Sequence, residues 1–234
     1  MPAVVRLRGF GTGEHLAAEA DSVAVIGLGR FGSALALELM ASDTDVLGVD
    51  SDEDLVQRMN GRLTHVVRAD STQEETLREL SLPDFERVVV AIGTDLEASI
   101  LTASLLLDFG VPNIWAKAVS DAHGAILQRL GVHNVVYPEA DMGKRIAHRV
   151  RGNLQDFVEL GDDFAAVRTR PPADLVGRTV AEAGTRDTRG VTITAIKRPD
   201  SGWHHCTTDS VIGADDLLLV TGPTRKAERF ASGR

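Results

Sequence analysis

The chain has 234 residues, 43% hydrophobic and 25% charged, a globular composition long enough for two modest cores of roughly 100 to 140 residues each. Its 25 Lys and Arg against 34 Asp and Glu leave a net charge of −9. That balance argues against a nonspecific nucleic-acid binder, whose affinity comes from cations neutralising phosphates. Cys206 is the only cysteine, which excludes an intrachain disulfide and a CxxC metal or redox motif and fits a reducing cytosol.

Residues 1–21 carry no sustained period and read as a mobile or loosely docked leader, without the charged-then-apolar order of an export signal. From residue 22 the pattern is regular. VAVIG is an apolar strand ending in Gly, and RFGSALALELMA follows with helical spacing at Phe31, Leu35 and Leu39. Strands are then expected at 45–50, 64–70, 87–93, 113–118 and 134–138, with helices over DEDLVQRMN, TQEETLREL, LEASILTASLLLDFG and DAHGAILQRLG between them. Short apolar strands alternating with helices predict a Rossmann-like, doubly wound parallel sheet of the α/β class over 22–140.

MGKRIAHRVRGN predicts a linking helix within 141–155, with Met142, Ile146, Ala147 and Val150 on one face, and its expected task is to couple two domains. Over 156–234 the composition changes. FAAVRTR, VTITAIKR and DDLLLVTGP read as strands, PPADLVGRTVAEAG as a turn and short helix, PDSG as a turn, and TRKAERFAS as a last helix. A small α+β domain of roughly 75 residues has little core of its own, so self-association is expected. The longest apolar stretches, such as 99–107, fall short of the ~20 residues that cross a bilayer, so membrane contact is expected through a partner.

Gly27, Gly29 and Gly32 form GLGRFG between a predicted strand and a predicted helix, the context that gives a GxGxxG match meaning. Gly27 permits the sharp turn, Gly29 lets a pyrophosphate approach the backbone, and Gly32 lets helix and strand pack closely, with Leu28, Arg30 and Phe31 completing the loop. Asp50, ending the second strand with Ser51 after it, is placed to hydrogen-bond ribose hydroxyls and to repel a 2′-phosphate. Arg30 either contacts the outer phosphates of a ligand or is a solvated helix-start side chain.

Asp70, Ser71 and Thr72 follow the third strand at the edge where such sheets bind ligands. Asp70 or Ser71 is placed to read an adenine edge, while Ser71 or Thr72 equally suits a plain helix N-cap. Ile92, Gly93, Thr94 and Asp95 after the fourth strand, and Lys117 at the end of the fifth, reach the same rim, where a cation within an apolar WAKAV stretch stands out. Glu139 complements the dipole of the linking helix, and Asp141 is a competing N-cap.

Taken together, VAVIGLGRFG, the Asp50 strand, RADST, VVVAIGTDLEASILTASLLL, VPNIWAKA and VVYPEADMGKRIA resemble the KtrA and TrkA type of potassium-transport regulators, the RCK or KTN domain proteins, with the KtrA branch nearer. The resemblance runs from about residue 22 to the C-terminus and is more specific in the first domain. It implies a non-enzymatic cytoplasmic subunit that binds ATP or ADP, with NAD(H) as in the TrkA branch. It further implies a homo-octameric ring beneath a KtrB-like or TrkH-like membrane subunit. By the same resemblance Arg30 contacts the terminal phosphates, Asp50 holds the ribose, Lys117 lies beside the phosphates, and Glu139 joins a divalent or monovalent cation site. The C-terminal domain resembles a module that in some relatives binds cyclic di-AMP at a dimer seam, and Arg178, Arg186 and Arg189 either meet phosphates or form an exposed basic face.

His204, His205 and Cys206 invite a metal reading, but adjacent residues of an extended segment face opposite ways, so at most His204 and Cys206 share an ion. GTGEH at 11–15 lacks a preceding strand and is not a second nucleotide loop. A small NAD-dependent oxidoreductase shares the glycine fingerprint, yet the C-terminal domain offers no placed acid, base or polarising group. A redox-sensing repressor lacks its helix-turn-helix.

Overall fold

The computed structural model describes residues 22–150 and 154–233, so the expected leader and GTGEH lie outside the described residues. The chain divides into two compact units, 1–139 and 140–234.

The first unit is a six-stranded parallel sheet in the order β3-β2-β1-β4-β5-β6. Its strands are β1 (Val23–Ile26), β2 (Val46–Asp50), β3 (His65–Arg68), β4 (Arg87–Val90), β5 (Asn113–Lys117) and β6 (Asn134–Val136). The order reverses between β1 and β4, the switch point at which doubly wound sheets open a crevice beyond their carboxyl ends. Side chains alternate across a strand, and in β1 both faces are dry: Ala24 and Ile26 join one core with Val88, Val90 and Leu106, while Val23 and Val25 join another with Leu28, Ala36 and Val46. That two-sided burial explains why VAVI reads as an unbroken apolar run.

The connecting helices are α1 (Arg30–Ala41), α2 (Glu53–Met59), α3 (Glu74–Glu79), α4 (Leu96–Asp108) and α5 (Asp121–Leu130). Asp52, Asp95 and Ser120 cap α2, α4 and α5 by accepting first-turn N–H bonds. The cap expected from Ser71 or Thr72 is not made: α3 begins later, with Gln73 in the cap position and no side-chain cap bond. The linking helix α6 (Pro138–Val150) starts ahead of Met142, so Asp141 lies inside it and is not its N-cap. Met142, Ile146 and Val150 of its expected apolar face are exposed.

The second unit is an antiparallel five-stranded sheet in the order β10-β9-β11-β8-β7. Its strands are β7 (Leu154–Gly161), β8 (Phe164–Thr169), β9 (Thr192–Arg198), β10 (Gly202–His205) and β11 (Leu217–Pro223). Between β8 and β9 lie α7 (Val180–Ala183) and α8 (Thr185–Arg189), separated by Gly184 at φ +51°. Thr179 and Glu182 close a reciprocal capping box on α7. The last helix, α9 (Thr224–Ser232), buries Ala227, Phe230 and Ala231 in one core with Phe157, Val167, Ile193 and Leu218. β7 and β10 were not anticipated from the sequence.

Candidate functional site

The glycine loop is fixed by close contacts that only glycine tolerates. Gly27 has φ +96°, and a Cβ there would lie 2.9 Å from the Ala91 carbonyl carbon; a Cβ on Gly32 would lie 1.8 Å from the Gly27 carbonyl oxygen. Gly29 is different, because a Cβ on it would meet nothing within 4 Å. Protein packing therefore does not require glycine at position 29, and the space above its backbone, at the N-terminus of α1, is open to a ligand. Gly29 holds the cap position of α1 without a side-chain cap bond, and no acidic residue occupies the first turn, so the helix presents its amide dipoles uncompensated.

Leu28 does not offer its side chain: it is 1% exposed, packed in the core against the Gly48 backbone, so only its main chain faces the loop. Its N–H donates to Asp50 Oδ2 at 2.6 Å, and the Asp52 N–H donates to Asp50 Oδ1 at 2.9 Å. Asp50 thus ties the glycine loop to the end of β2, a structural duty that sequence reasoning did not foresee. The neighbouring Ser51 carbonyl accepts from Arg68 Nε at 3.1 Å, and Arg68 also pairs with Glu53 at 2.9 Å. Arg68 braces the turn after Asp50, and only its place at the end of β3 could have pointed to it.

Lys117 ends β5 at 8% exposure, an unusual place for a cation. Its Nζ donates to Glu139 Oε1 at 2.5 Å and lies 5.7 Å from the Phe31 ring centroid. Gly93 makes room for it, since a Cβ there would sit 3.2 Å from Nζ. Ile92 is half-buried and Thr94 exposed in the same turn. Glu139, in the first turn of α6, has its carboxyl held below the ordinary range, first by the Lys117 hydrogen bond and more weakly by the charge of Arg30. Arg30 itself is exposed, the first residue of α1, and so belongs to the helix start and not to the loop proper.

Asp70, Ser71 and Thr72 form a separate cluster at the end of β3. Asp70 Oδ1 accepts from the Thr72 N–H at 2.9 Å and its hydroxyl at 2.7 Å, bonds that lower the Asp70 pKa. Ser71 is buried, with its Oγ 2.8 Å from Thr102 Oγ1, and Thr102 donates to the Ser71 carbonyl at 3.1 Å. Thr102 was missed from sequence because a hydroxyl inside LEASILTASLLL carries no local signal. The geometry therefore gathers the glycine loop, Asp50, Gly93, Lys117 and Glu139 by direct contacts, and fixes Asp70 to Thr72 through α4.

Among the described residues no three His, Cys, Asp or Glu side chains gather as a metal site, and the Glu139 carboxylate is paired with the Lys117 ammonium. His204 Nε2 lies 2.8 Å from Ser201 Oγ, and Cys206 is half-buried with a pKa raised by burial and then by Asp216. No described helix is long and apolar enough to cross a membrane.

A parallel sheet with a glycine loop at its switch point and a carboxylate on the next strand defines a dinucleotide-type domain, and residues 23–138 match the model of the TrkA-N domain. Over 92% of the chain the fold is similar to the GsuK RCK domain, with a TM-score of 0.65 at 15% identity, although that match spans 48% of the other chain. The chain is 38% identical over 208 residues to Ktr system potassium uptake protein C of Bacillus subtilis, covering 88% of this chain and 94% of that protein. It is 35% identical over 204 residues to Ktr system potassium uptake protein A of Vibrio alginolyticus, covering 87% and 93%. The chain belongs to the Ktr family of potassium-uptake proteins.

Proposed function

We propose that the chain is a cytoplasmic, non-enzymatic gating subunit of a potassium uptake system, whose first unit binds ATP or ADP and which acts on a KtrB-like or TrkH-like membrane subunit through a homo-octameric ring. The observation that carries this reading is the open backbone of Gly29 at the start of α1, where Arg30 is exposed and the Phe31 ring lies 5.7 Å from the nearly buried Lys117. Open backbone, helix dipole and two cations suit a chain of phosphates. Asp50, already fixed by the Leu28 and Asp52 amides, suits ribose. A solved relative of the fold is a GsuK channel bound to NAD, which keeps NAD(H) beside ATP and ADP as a ligand to be tested.

On this reading a terminal phosphate competes with Glu139 for Lys117. Freed from Lys117, Glu139 joins the phosphate oxygens around a cation, whose remaining ligands come from nucleotide, water or a second copy. The cation neutralises charge between carboxylate and phosphate, and its loss with ADP supplies a difference between two states. The decisive test is calorimetric titration of the purified chain with ATP, ADP and NADH, with native mass measured in each state. ATP and ADP binding with a change of assembly supports gating; binding of NADH alone, with substrate-dependent NADH oxidation, would replace the gate with an oxidoreductase. Arg30→Ala is expected to weaken ATP more than ADP, and equal loss removes Arg30 from terminal-phosphate sensing. Cyclic di-AMP, expected from the resemblance at a seam between second units, is titrated in the same way.

A further inference from the structure

Each end of β5 is held by a histidine that accepts a backbone hydrogen bond. At its start the Ile114 N–H donates to His133 Nδ1 at 3.1 Å, and just beyond its end the Val119 N–H donates to His123 Nδ1 at 3.4 Å. His133 is exposed, so water can replace that bond, whereas His123 is 2% exposed. A neutral imidazole that accepts through Nδ1 carries its proton on Nε2. In His123 that atom is buried with no partner among the described residues. A second proton on this ring finds no counter-charge. Lys117 of β5 is paired with Glu139; the other ionisable groups on the elements around α5 are Glu97 and Asp108 of α4, Asp121 and Arg129 of α5 itself, and the Tyr137 hydroxyl after β6. None of them offsets burial, which alone moves the His123 pKa, and moves it down.

The turn that His123 holds reaches the rim of the first sheet. Lys117 Nζ and Val119 Cγ1 rest over the same piece of backbone, since a Cβ on Gly93 would lie 3.2 Å from the first and 3.3 Å from the second. Between them Ala118 is pinned by its N–H bond to the Val136 carbonyl at 2.8 Å. The chain is thus fixed at Ala118 by β6 and at Val119 by the imidazole, and His123 sets its path where it leaves Lys117 and Gly93. Protonation of Nδ1 turns the acceptor into a donor, sets two N–H groups against each other and releases the turn. Because burial lowers the folded pKa, the neutral contact is complete above the ordinary histidine pKa and is lost as pH falls through the lowered value.

We propose that His123 is a positioning residue for the nucleotide rim, holding the turn after Lys117 only while its ring is neutral, so that nucleotide binding weakens in acid. The proposal rests on the reading of the first unit as a nucleotide-binding domain. Its test uses His123→Asn, whose Oδ1 takes the place of Nδ1 as the acceptor and does not titrate. ADP affinity of the full chain is measured by calorimetry between about pH 8 and about pH 5.5. The wild type is expected to lose roughly fivefold more affinity than His123→Asn over that range, a comparison in which the ligand's own titration cancels. His133→Asn, at the other end of β5, is expected to keep the wild-type profile. Equal profiles for wild type and His123→Asn, or the same flattening in His133→Asn, overturn the proposal. In the unaltered chain, saturating ADP is expected to lower the pH at which the His123 ring titrates by NMR, because linkage is reciprocal; an unmoved titration overturns it as well. Absence of ADP binding at the alkaline end refutes the nucleotide reading instead. The tie itself is then judged by amide exchange at Val119, whose protection is expected to drop in acid in the wild type relative to His123→Asn, and equal protection in the two refutes it.

Discussion

Removing the Asp50 carboxylate tests whether the glycine loop is held in place by its acid. In Asp50→Ala two N–H donors lose their acceptor, with unequal consequences. The Asp52 N–H is exposed and turns to water, whereas the Leu28 N–H belongs to a residue 1% exposed and bonds at 2.6 Å. A buried donor left unpaired costs about 1–3 kcal/mol, so local opening of the loop becomes easier by about 2 kcal/mol, or roughly 30-fold. Asp50→Asn keeps one oxygen, which can serve Leu28, and its expected effect is smaller, below about 1 kcal/mol. Amide hydrogen exchange at Leu28 reads this directly, because local opening is measured residue by residue. Unchanged protection of the Leu28 amide in Asp50→Ala refutes the bracing role, and a larger effect for Asn than for Ala refutes the assignment of the two oxygens.

Gly32→Ala is expected to destabilise the first unit by about 3 kcal/mol or more in thermal unfolding, because the new Cβ meets backbone at 1.8 Å. Gly29→Ala meets nothing, so it should cost about 1 kcal/mol or less in stability while lowering nucleotide affinity at least tenfold. Thr102→Val leaves the Ser71 hydroxyl and carbonyl without their buried partner, and a loss of about 1–3 kcal/mol is expected in the same assay. The Glu139 carboxyl should titrate below the ordinary glutamate range by carbon NMR and rise toward it in Lys117→Met. Because the folded pKa is the lowered one, the Lys117 contact is complete above the ordinary glutamate pKa and is lost as pH falls through the depressed value.

The parallel sheet was legible because its central strands β1, β2 and β4 are dry on both faces and each strand is followed by a helix, so runs such as VAVI and RVVV announce themselves. β7 and β10 were not, for opposite reasons. In β7 the buried Phe157 alternates with exposed Val158 and Leu160, apolar residues on the outer side that erase the two-residue period. β10 pairs with β9 through its backbone while Trp203, His204 and His205 stay exposed, so burial leaves no mark on its sequence. At the site, the glycines and Lys117 stood out by type and position. The tie from Asp50 to the Leu28 amide and the bond from Ser71 to Thr102 did not, since each joins residues distant in sequence. The helix cap that Ser71 or Thr72 equally suited is not made: Asp70 takes both the N–H and the hydroxyl of Thr72, and α3 begins at Glu74.

Because the strands of the first sheet run the same way, one rim collects a contribution from β1, β2, β4 and β5 in turn, at Gly27, Asp50, Gly93 and Lys117. A molecule seated there would staple segments already joined by ladder bonds and by the tie from Asp50 to the Leu28 amide, so resistance to heat should climb with the logarithm of its concentration above Kd. Melting temperature then doubles as a gauge of occupancy, needing neither a labelled ligand nor a membrane assay.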